Sequence, residues 1–174
     1  MKNIWTPWRM AYIEEKIPAG DVCIFEAGAG KEHEKESLLL YRDALTVVFL
    51  NRFPYANGHL LIAPGRHVSD ITDLRERENK ALFDMIRESV AILRKHKTPD
   101  GFNIGLNLGT VAGAGHPEHL HFHVVPRWEG DHNFMTVLAD VRTIPEHIEN
   151  TFDQLLPDFQ KILKSKDNKK RLMK

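Results

Sequence analysis

The stretch GAGHPEHLHFHVVPRW, residues 113–128, gathers His116, His119, His121 and His123 into eight positions behind a Gly-Ala-Gly, in a chain with 10 histidines. In an extended strand, successive side chains alternate faces, so His119, His121 and His123 point one way and Leu120, Phe122 and Val124 the other. One face is apolar and packs inward. The other is a row of imidazoles, spaced about 7 Å along the strand. A core strand has no use for three aligned polar rings that would each require a partner, so the pattern predicts chemistry. Two chemistries compete: a metal site and a histidine nucleophile.

Histidine is the commonest zinc ligand, but a same-face pair on one strand needs further ligands from elsewhere. The candidates are Cys23 with Glu26, a C-x-x-E where zinc prefers C-x-x-C, and His67 after an apolar strand. A nucleophile needs less. Neutral imidazole attacks through one nitrogen if the other keeps its proton and is held by an acceptor, usually a backbone carbonyl. The middle residue, His121, is flanked to receive that support from the local backbone, leaving Nε2 as a free lone pair. Phosphorus is the expected electrophile, with Gly113 and Gly115 turning loop N–H groups toward phosphate oxygens. The covalent step then needs no cofactor, and zinc stands as the alternative.

Outward from the histidines, "ESLLLYRDALTVVFLN" reads as two strands forming a hairpin about Arg42-Asp43, and "HLLIAPGRH" as a third strand antiparallel to the second. Leu82, Met85, Ile86, Val90 and Leu93 recur at helical spacing, with Asp73 and Glu76 as a capping box and Thr98-Pro99-Asp100-Gly101 as the stop. "FNIGLNLG" and "HLHFHVVP" supply two more strands. Residues 145–164 predict a last helix broken or bent at Pro157. The basic "SKDNKKRLMK", residues 165–174, predicts a frayed tail after one domain over residues 1–164.

At 174 residues with 42% apolar content, the chain is of single-domain size. Lys+Arg and Asp+Glu both total 24, so no global basic field points to nucleic acid. The single cysteine excludes an internal disulfide, and no apolar run approaches the ~20 residues of a membrane span. A soluble cytoplasmic protein, with neither nucleic acid nor membrane as partner, is expected.

"HLHFHVVPRW" resembles the histidine triad (HIT) superfamily pattern of three histidines alternating with apolar residues. "NRFPYANGHLLIAP" resembles the upstream nucleotide-binding strands of that superfamily, including the spacing from Asn51 to His59. With "WTPWRMAY", "GLNLG" and "PRWEGDHNFM", the likeness covers most of residues 5–140, and its nearest branch is the fragile-histidine-triad and diadenosine-tetraphosphate-phosphorylase group. The resemblance implies an α+β fold: a five-stranded antiparallel sheet with helices, pairing into a ten-stranded sheet across a homodimer. It implies His121 as nucleophile, with His119 and His123 orienting it and contacting phosphate or leaving-group oxygens. His59 would approach the same site, Asn51 would bind ribose, Asn107 would line the phosphate side, and Trp128 would lie near the nucleotide of the neighbouring subunit. Trp5 and Trp8, beside Arg9 and Tyr12, suit either a dimer arm or intrachain packing.

The chain departs from that pattern at Glu26, where many relatives carry a second cysteine, and at His116 and His132. His116 could donate a leaving-group proton or be a loop histidine without a role. The expected activity is a nucleotidyl hydrolase or transferase that cleaves dinucleoside polyphosphates through a nucleotidyl-histidine. The alternatives are a phosphorylase releasing ADP, or a nucleotide- or zinc-binding module without turnover.

Overall fold

The Asp43 carboxylate turns the first two strands back on each other. Its Oδ1 accepts the N–H groups of Leu45 (2.9 Å) and Thr46 (2.8 Å), which closes the hairpin between β1 (Leu39–Arg42) and β2 (Thr46–Leu50). A computed structural model describes residues 23–26, 34–131 and 146–172. The third strand, β3 (Leu60–Pro64), pairs antiparallel with β2, and β4 (Gly101–Leu106) and β5 (Phe122–Arg127) complete one antiparallel sheet of order β1-β2-β3-β5-β4. The expected five strands are all present. The expectations about Trp5, Trp8, Arg9, Tyr12 and His132 lie outside the described residues.

After the short α1 (Glu34–Ser37), two long helices, α2 (Glu76–Lys97) and α3 (Ile148–Leu172), cover one face of the sheet. Their stripes of Leu82, Met85, Ile86 and Leu93, and of Phe152, Leu155 and Phe159, meet Val48, Leu60, Ile62, Phe122 and Val124 in the main core. The opposite face carries a smaller apolar cluster of Leu39, Val47, Phe49, Leu61 and Ala63, capped by Phe25. In the β3–β5 ladder, His123 lies directly opposite Leu61, so the histidine face is the one turned away from the helices.

Three expectations change in detail. The capping box forms two residues later, with Glu78 reaching back to the Arg75 N–H (2.9 Å), while Asp70 caps a separate 3-10 turn, Ile71–Asp73. The cause is Arg66, which grips Glu78 through Nε (3.0 Å) and Nη2 (2.8 Å) and holds its carboxyl down at about pKa 2. Helix α3 runs through Pro157 unbroken and continues to Leu172, where a frayed tail is expected from residue 165. Lys166 ties the continuation down by reaching Asp43 Oδ2 at 2.9 Å and lying over the Tyr41 ring.

The third change bears on the site. The ladder of β5 begins at Phe122, so of the three triad residues only His123 lies within the paired strand. Pro64 opposes the position at which the ladder would continue, and it has no N–H to give. The Leu120 N–H bonds instead to the Val68 carbonyl at 2.7 Å. Residues 119–121 thus leave the sheet at the strand end, which frees their side chains to diverge.

Candidate active site

His59 enters the site from the turn before β3. The turn needs a left-handed residue at Gly58 (φ +78°), where an added Cβ would also sit 3.1 Å from Leu93 of α2. His59 is fully buried, and its Nδ1 accepts the backbone N–H of Tyr55 (3.1 Å) and faces the Asn51 amide nitrogen (3.2 Å). The Asn51 amide is oriented by its Oδ1, which accepts the Phe53 N–H at 3.0 Å. Asn51, expected at the ribose, therefore has both ends of its amide engaged in holding the loop and His59.

Those contacts fix protons further along. Because Nδ1 of His59 accepts, its proton sits on Nε2, which donates to Nδ1 of His123 at 2.9 Å. His123 in turn carries its own proton on Nε2. That N–H is buried and has no hydrogen-bond partner among the described residues. The Tyr55 ring, half exposed, stacks on His123 with centroids 5.7 Å apart. Burial, and then the neighbouring His121, push the His123 pKa down to about 4, so the ring is neutral near pH 7.

His121 follows the same logic with the opposite result. Its Nδ1 donates to the His119 carbonyl at 2.9 Å, which leaves Nε2 unprotonated, as the sequence predicts. Burial lowers its pKa as well, so the lone pair is available near neutrality. The two rings stand 5.0 Å apart, one presenting a lone pair and the other an N–H. An electrophile bound between them would meet a nucleophile and a hydrogen-bond donor together.

His119 orients His121 through its backbone carbonyl and not through its side chain. The His119 ring turns the other way, donating from Nε2 to the Pro64 carbonyl (2.9 Å) and presenting Nδ1 to the Cys23 Sγ at 3.2 Å. Burial raises the Cys23 pKa and lowers that of His119, which leaves a neutral thiol facing a lone pair. Ligand atoms of Cys23, His67 and His119 lie within 4.8 Å of one another, and Glu26 Oε2 is 3.4 Å from His67 Nδ1. A thiolate, two imidazoles and an adjacent carboxylate suit zinc by donor chemistry, and the Pro64 carbonyl holds His119 in the tautomer that ligates through Nδ1.

The loop before the triad is less open to phosphate than expected. Gly113 (φ +92°) commits its N–H to the Thr110 carbonyl at 3.0 Å, and Asn107 braces the loop through the Gly113 carbonyl at 3.4 Å. Gly115 and His116 follow on the same loop. The His116 side chain is mostly buried, 3.7 Å from Glu118 and edge-on to Phe25. Trp128 lies at the far end of β5 from His121, its indole donating to the last carbonyl of α2, at Lys97, at 3.2 Å. Phe25, a buried ring against His121 that sits between Cys23 and Glu26, is not among the residues expected at the site. The apolar residues inside that C-x-x-E were the available signal.

A five-stranded antiparallel sheet with helices on one face and clustered histidines on the other is the HIT-like α+β fold. Residues 32–130 match the HIT domain, and the chain belongs to the HIT family. It is 38% identical over 157 residues to AP-4-A phosphorylase of Mycobacterium tuberculosis, covering 87% of this chain and 80% of that protein. It is 35% identical over 95 residues to the asymmetrical bis(5'-nucleosyl)-tetraphosphatase of Schizosaccharomyces pombe, covering 55% and 52%. Among solved structures, a Zn-bound histidine triad family protein from Mycobacterium smegmatis superposes with TM-score 0.58 at 26% identity, covering 74% of this chain and 87% of that one.

The depressed pKa values make stability depend on pH. An ordinary histidine titrates near 6.5, whereas His123 in the fold titrates at about 4. Between those values the unfolded chain takes up a proton that the folded chain refuses, so stability falls as the pH drops through that window. The lowered His119 and His121 act in the same direction. The thermal midpoint should decline from pH 6.5 toward 4, and less steeply in His123→Asn. Equal slopes in the two proteins would refute the assignment to His123.

Proposed function

We propose that the chain is a nucleotidyl hydrolase or transferase acting on dinucleoside polyphosphates through a covalent nucleotidyl-histidine. The observation that carries this reading is the 2.9 Å bond from His121 Nδ1 to the His119 carbonyl, which leaves Nε2 as the nucleophile. His121 attacks the α-phosphorus; the bond to the bridging oxygen breaks, and its electron pair leaves with the nucleoside polyphosphate. The positive charge gained by the ring is stabilised through Nδ1–H by the same carbonyl. His123 offers its Nε2–H as a hydrogen bond to the departing oxygen and keeps its proton, since a neutral imidazole is a very weak acid. A second nucleophile then attacks the same phosphorus, the N–P bond breaks, and His121 recovers its lone pair. Splitting one displacement into two lowers the barrier to each.

Water as the second nucleophile yields a nucleoside monophosphate, and inorganic phosphate yields a diphosphate. The likeness to AP-4-A phosphorylase over most of the chain favours phosphate. Diadenosine tetraphosphate incubated with and without phosphate should give ADP only when phosphate is present, and AMP in both cases would reverse the assignment. In either case His121→Gly should lose turnover by at least about 1,000-fold and still bind nucleotide. A His121→Gly protein that turns over at the wild-type rate would end the proposal.

Zinc would be held by Cys23, His67 and His119, with Glu26 beside them. When bound, it supplies a cross-link between residues 23–26 and the end of the histidine strand. Metal analysis of the purified protein should find zinc near one per chain, lost in Cys23→Ser together with a lower thermal midpoint. Full occupancy in that variant would exclude the site.

The same reading includes a homodimer with a continuous ten-stranded sheet. Strand β4 lies at the sheet edge with no outer strand partner among the described residues, and its Ile104 is 46% exposed. An open edge with apolar side chains is a template for pairing with a second copy. Sedimentation should show a dimer for the wild type and a monomer for Ile104→Lys. A monomeric wild type would remove the assembly from the proposal.

A further inference from the structure

A carbonyl alone does not immobilise an imidazole. The histidine χ2 torsion is broad, and a ring held only by Nδ1–H···O can rock about that bond and sweep its Nε2 through an arc. His121 has a second restraint. Phe25, 1% exposed, lies with its ring centroid 5.1 Å from that of His121, tilted by 31°. The same ring touches His119 at 4.9 Å and meets His116 and Phe49 edge-on at 6.2 and 5.9 Å.

Phe25 is itself held from several sides. The Arg42 Nη2 donates to its carbonyl at 2.8 Å, and the Glu26 N–H closes a turn on the Cys23 carbonyl at 2.8 Å. The Cys23 Sγ meets His119 Nδ1 at 3.2 Å, anchoring this turn to the residue whose carbonyl holds His121. One short segment, outside the HIT-domain match of residues 32–130, thus reaches His121 by two routes: through the His119 backbone at the ring edge and through Phe25 at the ring face.

We propose that Phe25 is a positioning residue: its flat face stops the His121 imidazole from rocking and keeps Nε2 aimed at the phosphorus. The proposal rests on the reading of His121 as nucleophile. A ring that only filled the core could be replaced by any apolar side chain, whereas a wall needs an extended flat surface. Misplacing a reacting atom by about 1 Å costs on the order of 100-fold in rate, so loss of the wall should appear in kcat.

Phe25→Leu keeps an apolar core residue but removes the flat face. Phe49→Leu is the control, because Phe49 belongs to the same cluster and borders Phe25. Both variants should lower the thermal midpoint by comparable amounts. Only Phe25→Leu should lower kcat for diadenosine tetraphosphate, by about 10- to 100-fold with KM unchanged. In 15N spectra of the histidine side chains, His121 should keep the Nδ1-protonated tautomer throughout, with sharp ring signals in the wild type and Phe49→Leu and motionally averaged ones in Phe25→Leu. Wild-type kcat and an unaveraged His121 signal in Phe25→Leu, or an equal loss of kcat in both variants, would overturn the proposal. If the wild type itself turns over no dinucleoside polyphosphate, the functional reading fails, and the 15N comparison alone decides the role of Phe25.

Discussion

The hydrogen bond from Nδ1 of His121 to the carbonyl of His119 decides which end of the central imidazole is reactive. Both groups belong to the same run of chain, so the bond depends on the backbone being extended and locally unpaired where it leaves the sheet. Pro64 creates that condition. By withholding an N–H at the end of β3, it stops the ladder with β5, and its own carbonyl is taken by the His119 ring at 2.9 Å. One proline thereby ends a strand and anchors the residue whose carbonyl fixes the His121 tautomer.

The three histidines of the triad consequently do three different things. His119 faces Cys23 and His67, His121 presents a lone pair, and His123 presents an N–H. All three are held neutral by burial. Their separation follows from the strand end: a continuous ladder would have kept the three rings in one row.

Much of this was legible in the sequence. Period-two alternation around residues 119–124 identified the face, the apolar runs identified all five strands, and the need for a carbonyl partner at His121 follows from imidazole chemistry alone. What escaped was non-local. That Asn51 serves His59 requires the turn at Gly58 to bring the two together, and that His119 meets Cys23 requires contact between residues 96 positions apart. Helix α3 outran its expected end because Asp43, at the β1–β2 turn, supplies an anchor for Lys166 that lies 123 residues away in sequence. Trp128 was placed by likeness, while its indole caps α2 within its own chain.

The chain of donors that begins at the Tyr55 amide has a polarity of its own. A peptide N–H does not titrate under conditions in which proteins function, so it acts as a fixed reference for every proton downstream. His59 can accept from it but not give to it, and His123 inherits that orientation at second hand. The tautomer of His123 is therefore written into a main-chain amide two hydrogen bonds away. A neutral imidazole that would flip between tautomers in water is held here in a single one.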